Sequence, residues 1–175
     1  MNETQTGVRV ALAGEGSAHV ATGLPVLDHL VAELVRMARF KLSLEVAPGS
    51  ADAAAAAAGK ALGGALAGLL HAPGAVAAGW ALVPAEEALA SAALEVSERP
   101  LLVTNVDFSG QSVGGLSTDV ASRFLRELAD AAGLNLHVRL VEGTDPQHVL
   151  AAIFKAVGAA LGQACRPVPE AKEES

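Results

Sequence analysis

Tyrosine is missing from this chain, and one tryptophan and four phenylalanines are its only aromatic side chains. Interior volume therefore has to come from Ala, Val and Leu, which pack closely but fill little space each. A single cysteine, Cys165, excludes an internal disulfide and gives no sign of an oxidising compartment. Positive charge is also short: 12 Lys and Arg stand against 19 Asp and Glu, a net charge of −7. That balance argues against nucleic acid as a partner, which needs a basic face to neutralise phosphates. The polar N-terminus, Met1–Gly7, lacks the apolar core of a signal peptide. The longest uncharged stretch, Ala61–Ala85, is broken by Gly pairs, His71 and Pro73, so it reads as a helix followed by a loop rather than a membrane span. The expectation is a soluble cytoplasmic protein with no membrane and no nucleic-acid partner.

What is present is repetition. The segment Gly49–Leu66 lines up with Gly143–Leu161, and Lys60-Ala61-Leu62-Gly63 falls on Lys155-Ala156-Val157-Gly158. The alternating stretches ahead of them, Leu42–Gly49 and Leu136–Gly143, pair as well. Where the second copy reads Gln147-His148-Val149-Leu150-Ala151, the first reads Asp52-Ala53-Ala54-Ala55-Ala56. The duplication survives, and most polar groups of one copy do not.

Val8–Leu12 alternates as a strand, Ala13–Ser17 supplies turn chemistry, and Ala18–Thr22 is the expected hairpin partner. Leu27, Leu30, Val31, Leu34 and Val35 recur at helical spacing over Leu27–Ala38. Leu42–Val46 alternates again. Six consecutive alanines, the best intrinsic helix formers, then make Ala51–Leu70 a long helix. The second half copies this order: strands over Ala92–Val96 and Leu101–Asp107, a helix over Ser117–Ala132, and a strand over Leu134–Val141. A final helix is capped by Asp145, with Pro146 at its first position. The class is α+β, an internally duplicated unit of two strands, helix, strand and helix, with the helices packed between two mixed sheets. The expected division is residues 1–90 and 91–166, with a disordered tail over 167–175.

In sequence order, Thr22-Gly23…Leu27-Asp28-His29-Leu30, Leu82-Val83-Pro84…Glu86-Glu87-Ala88-Leu89, Ser97…Arg99-Pro100, Leu136-His137-Val138-Arg139 and Asp145-Pro146-Gln147-His148…Phe154-Lys155-Ala156 resemble the imidazoleglycerol-phosphate dehydratase family. The resemblance runs from about Thr4 to Cys165. It implies a ribosomal protein S5 domain 2-like fold, a homotrimer, and a shell of 24 subunits built from trimers. It also implies a manganese enzyme of histidine biosynthesis that dehydrates a phosphorylated imidazole-bearing diol, with metals bridging neighbouring trimers.

Residue by residue, the resemblance implies metal positions at His29, His137 and His148, which keep the family's imidazole. Asp52, Ala53, Ala56, Gln147 and Ala151 stand where the family has His or Glu, so five of eight ligand positions are changed and Asp52 is left as a weak oxygen ligand. Gln5 replaces the carboxylate of an N-terminal motif. Glu86 and Glu87 fall on the family's acidic catalytic segment. Arg99, Lys155 and Arg123 match or adjoin its phosphate-binding basic positions, and Glu98 is placed to pair with Arg99. Read from the residues alone, His29 is a helix-face imidazole bonded to Asp28 or to backbone, and His137 is a buried, satisfied imidazole in mid-strand. Glu86 and Glu87 are exposed loop carboxylates, and Cys165 is packing.

Three readings follow. The first is a family member that has lost normal manganese-dependent activity and either keeps a phosphorylated ligand at Arg99 and Lys155 or serves as a structural or regulatory partner of an intact paralogue. The second is an active dehydratase, or altered lyase, with a reduced site built on His29, His137, His148 and Asp52. The third is a pure oligomeric assembly protein. No cofactor is expected under the first reading, and manganese is the metal if there is one.

Overall fold

Two sheets, each burying one face, enclose a double layer of helices in the computed structural model, which describes residues 6–169. The first half comprises β1 (Gly7–Leu12), β2 (Ser17–Ala21), α1 (Pro25–Ala38), β3 (Phe40–Glu45) and α2 (Ala51–Leu70). The second comprises β4 (Ala78–Ala85), β5 (Ala88–Val96), β6 (Leu101–Thr104), β7 (Ser112–Val113), β8 (Leu116–Ser117), α3 (Thr118–Ala132), β9 (Leu134–Glu142) and α4 (Pro146–Cys165). Gln5 and residues 170–175 of the expected tail lie outside the described residues. Pro167 still bridges Ala75, and the Val168 N–H donates to Gly74 O at 2.8 Å.

The first sheet has the order β1-β3-β2, with β3 antiparallel to β1 and parallel to β2. The expected hairpin between the first two strands does not form. Strict alternation in β3 (Phe40, Leu42 and Leu44 buried; Lys41, Ser43 and Glu45 exposed) makes it the central strand instead. The second sheet, β4-β5-β9-β6, repeats this arrangement in β5-β9-β6 and adds β4 at one edge. The sheets therefore divide the chain between α2 and β4, ahead of the boundary expected at residue 90. β4 occupies what the sequence offers as a loop. Its Pro84 suits an edge strand, where one side of the backbone has no ladder partner. That free side is closed at Trp80: Gln163 Oε1 accepts the Trp80 N–H at 3.0 Å, and Gln163 Nε2 donates to Trp80 O at 2.8 Å.

Ser50 caps α2 by accepting the Ala53 N–H at 3.2 Å, and Asp145 caps α4 by accepting the Gln147 N–H at 2.9 Å. α2 packs on α3, and α4 packs on α1 and on β4 and β5. Both contacts are glycine-dependent. A Cβ on Gly59 would sit 2.4 Å from Phe124 O, and one on Gly158 would sit 2.1 Å from Leu34 O. The backbones meet where the duplicated helices lack side chains, the geometry that small residues four apart permit. Phe124 of α3 and Phe154 of α4 stack within the second half with centroids 5.6 Å apart. α2 and α4 are long and apolar enough to cross a membrane by length and composition, but α4's apolar window is 72% buried within the fold. Packing on both flanks accounts for its hydrophobicity.

Candidate functional site

A cleft of about 470 Å³ opens where the N-terminus of α1, the β4–β5 turn, the β7–β8 hairpin and the first turns of α4 converge. α1 contributes Val26 and His29, the turn contributes Glu86, the hairpin contributes Val113 and Gly114, and α4 contributes Gln147, His148, Ala151 and Lys155. Four side chains singled out in the sequence, His29, Glu86, His148 and Lys155, thus share one depression.

Each wall has a local cause. Asp28 Oδ1 accepts both the Thr22 N–H at 2.9 Å and the Thr22 hydroxyl at 2.5 Å, fixing the entry into α1. The side-chain bond to Asp28 that the sequence suggests for His29 is not formed, and His29 is exposed in the cleft. The hairpin loop Gly114-Gly115 has positive φ at both residues, 55° and 85°, which two-residue turns demand and glycine supplies at least strain. A Cβ on Gly114 would also meet Val26 Cγ2 at 2.8 Å. Between β4 and β5 the two-residue turn Glu86-Glu87 holds Glu86 at φ 50° and aims both carboxylates toward α4.

His148 Nδ1 lies 2.5 Å from Glu87 Oε2 and 3.9 Å from Asp145 Oδ2. The hydrogen bond to Glu87 is the main cause raising the His148 pKa above its ordinary value. Glu87 is held below its ordinary value first by its own backbone N–H and then by His148. Both groups are partly solvated, so water screens the pair. The bond orients the imidazole and leaves Nε2 as its other ring nitrogen.

At the inner end of the cleft, Lys155 Nζ is 3.7 Å from Glu33 Oε2, and Glu33 also forms an ion pair with Arg36. Glu33 is only 7% exposed, and its Oε2 has no hydrogen-bond partner. Sequence reading passed over this residue. The available signal was spacing, because Glu33 follows His29 by four positions and so shares its helix face.

The other predicted positions lie elsewhere. His137 is exposed on the outer face of the second sheet, in register with Ala93 on β5 and Val103 on β6, rather than buried and satisfied. Outward alternation along β9 puts it there. Asp52 sits in the first turn of α2, exposed, 3.8 Å from Arg123, which also bonds Glu127 at 3.1 Å. Arg99 lies in the β5–β6 loop, about 25 Å along β5 from the cleft at about 3.3 Å per strand residue. Its N–H donates to Ser97 Oγ at 3.0 Å, and among the described residues it makes no ion pair with Glu98. The three phosphate candidates therefore occupy three places.

The donor set can be tested against a two-manganese centre. His148 Nδ1 is committed to Glu87, Ala151 offers a methyl group, and Gln147 offers only a neutral amide. No group of three His, Cys, Asp or Glu among the described residues lies close enough to hold a metal ion. Within one protomer, the residues present do not fit the centre that the resemblance implies.

The sequence profile of the imidazoleglycerol-phosphate dehydratase family matches residues 22–161. An imidazoleglycerol-phosphate dehydratase from Pelobacter propionicus is 34% identical over 174 residues, covering 96% of this chain and 89% of the relative. One from Syntrophobacter fumaroxidans is 38% identical over 170 residues, covering 94% and 86%. The crystal structure of the Staphylococcus aureus enzyme superimposes with a TM-score of 0.86 at 28% identity, covering 94% of this chain and 96% of that one. By profile, by relatives of matching length and by fold, the chain belongs to the imidazoleglycerol-phosphate dehydratase family.

Proposed function

We propose that this family member keeps the cleft for a small phosphorylated ligand but does not run the manganese-dependent dehydration at the family's rate. One observation carries this reading: on the α4 face lining the cleft, His148 is flanked by Gln147 and Ala151, and no third donor accompanies it. Replacing a partner that only orients a metal ligand already weakens binding about 10–100-fold, so loss of ligands themselves costs more. The cleft retains one imidazole paired to a carboxylate, a second imidazole on α1, and a lysine for an anionic group. Those groups bind and orient a ligand and can hold a proton at His148 Nε2. On this reading the protein acts in the cytoplasm alongside histidine biosynthesis, as a binding or regulatory partner of an intact paralogue. The test is turnover of imidazoleglycerol phosphate by purified protein with added manganese, together with metal analysis. Absent product and substoichiometric metal are expected, and product formation with bound manganese sinks the reading.

A specific observation favours a second reading, an active enzyme completed by assembly. His137 is exposed on a sheet face that also carries Trp80, 60% exposed, and Leu82, 48% exposed. A homotrimer or larger shell that covers this face would bring the imidazole to a neighbouring copy. Light scattering with and without manganese tests it: a metal-dependent increase in mass supports this reading, and an unchanged mass refutes it.

A further inference from the structure

We infer that Glu33 is an internal competitor for phosphate at Lys155, so that a ligand's phosphate reaches this lysine only by displacing a carboxylate of the protein itself. This deepens the proposed binding role and rests on the cleft being a ligand site. Lys155 lines the cleft with its side chain 27% exposed, and its Nζ lies 3.7 Å from Glu33 Oε2. Glu33 projects from α1 into the protein, is 7% exposed, and leaves that same oxygen without a hydrogen bond. An orphaned buried carboxylate oxygen beside a lysine is costly to keep unless the two charges offset each other. Arg36, paired to the other carboxylate oxygen, holds Glu33 in place from the solvent side.

The surrounding charge works in the same direction. Glu86 lines the cleft from the β4–β5 turn, and Glu87 and Asp145 flank His148 near the start of α4, where His148 is already paired to Glu87. A phosphate entering the cleft passes the carboxylates beside His148 and reaches a lysine whose charge Glu33 already matches. Like charges at a recognition site reject a ligand as effectively as good contacts select one. Glu33 therefore acts as a positioning residue: it works through Lys155 and sets which charge the cleft accepts.

The experiment titrates full-length protein with inorganic phosphate by calorimetry at fixed ionic strength, comparing native protein with Glu33→Gln, Glu33→Asp and Glu33→Gln combined with Lys155→Met. Glu33→Gln keeps shape and a hydrogen-bond acceptor for Arg36 but removes the charge, and is expected to tighten phosphate binding at least about tenfold, the size of one charge-assisted contact. Glu33→Asp withdraws the carboxylate by a methylene and is expected to give a smaller tightening, which keeps the question decidable if the glutamine variant folds poorly. Lys155→Met in the Glu33→Gln background is expected to abolish the improvement. Phosphate binding that improves in neither single variant overturns the inference, as does an improvement that survives loss of the lysine. A purely structural Glu33 would lower stability without tightening anything. Dehydratase turnover by the native protein would sink the reading of lost activity, yet leave these affinities to decide the role of Glu33.

Discussion

Replacing Gly158 by alanine adds one methyl group, and the structure fixes where it lands. The new Cβ would sit 2.1 Å from Leu34 O and 2.8 Å from Leu34 C and Cα. These are backbone atoms of α1, so no rotamer change relieves the contact, and α1 and α4 must separate along a seam that is buried at Leu34, Ala38, Val157 and Leu161. Overpacking of a core costs about 1–3 kcal/mol, and a backbone clash belongs at the upper end. Alanine returns about 1 kcal/mol of helix propensity. The net loss is about 2 kcal/mol, a fall in Tm of about 4–8 °C for a domain of this size. Gly64 provides the internal control, since a Cβ there meets nothing within 4 Å. Gly64→Ala is expected to raise the midpoint slightly through propensity alone. Urea or thermal unfolding followed by circular dichroism at matched protein concentration reads both. A Gly158→Ala protein that melts at or above the native midpoint, or two variants that shift the same way, refutes the close-approach account of the helix layer.

Phe154→Ala opens a cavity beside the Phe124 ring and is expected to cost about 4 kcal/mol in urea unfolding; a loss below about 1 kcal/mol counts against the stacked core. The His148–Glu87 pair makes a pH prediction. His148 is raised above its ordinary 6.5, so its share of stability is present below 6.5 and lost as pH rises through the folded value. Glu87 is lowered from 4.5, so its share is present above 4.5 and lost as pH falls through its folded value. In the presence of EDTA, the His148 imidazole resonances are expected to titrate above 6.5 and to move back toward it in Glu87→Gln, and an unmoved midpoint would remove the pair. Burial pushes the Cys165 thiol up to about 12. Iodoacetamide at pH 8 is expected to leave it unlabelled in the native protein and label it fully in denaturant; labelling of native protein would contradict its packing.

Helices were the most legible elements, because their signals are local. Ala51–Leu70 agrees with α2 at both ends, and Asp145-Pro146 gives the start of α4 directly. Strand pairing was less legible. That β3 inserts between β1 and β2 depends on which strands can bury a face against the helices, a contest no single strand records. β4 escaped notice because Pro84 and the glycines before it read as breaks, although an edge strand tolerates both. Of the residues the resemblance singles out, His29, Glu86, His148 and Lys155 line one cleft in the fold. It did not give Glu33, whose role depends on α1 and α4 crossing at one distance. His137 and Arg99, also singled out by the resemblance, lie away from the cleft, one on the outer face of the second sheet and the other in the β5–β6 loop.

The amide of Gln163 has a consequence for how copies of this chain can meet. By occupying both hydrogen-bonding groups of Trp80, it acts like a short false strand laid along the rim of the second sheet. Another chain cannot zip onto that rim at Trp80 without first prising the amide away, so runaway edge-to-edge growth is blocked there.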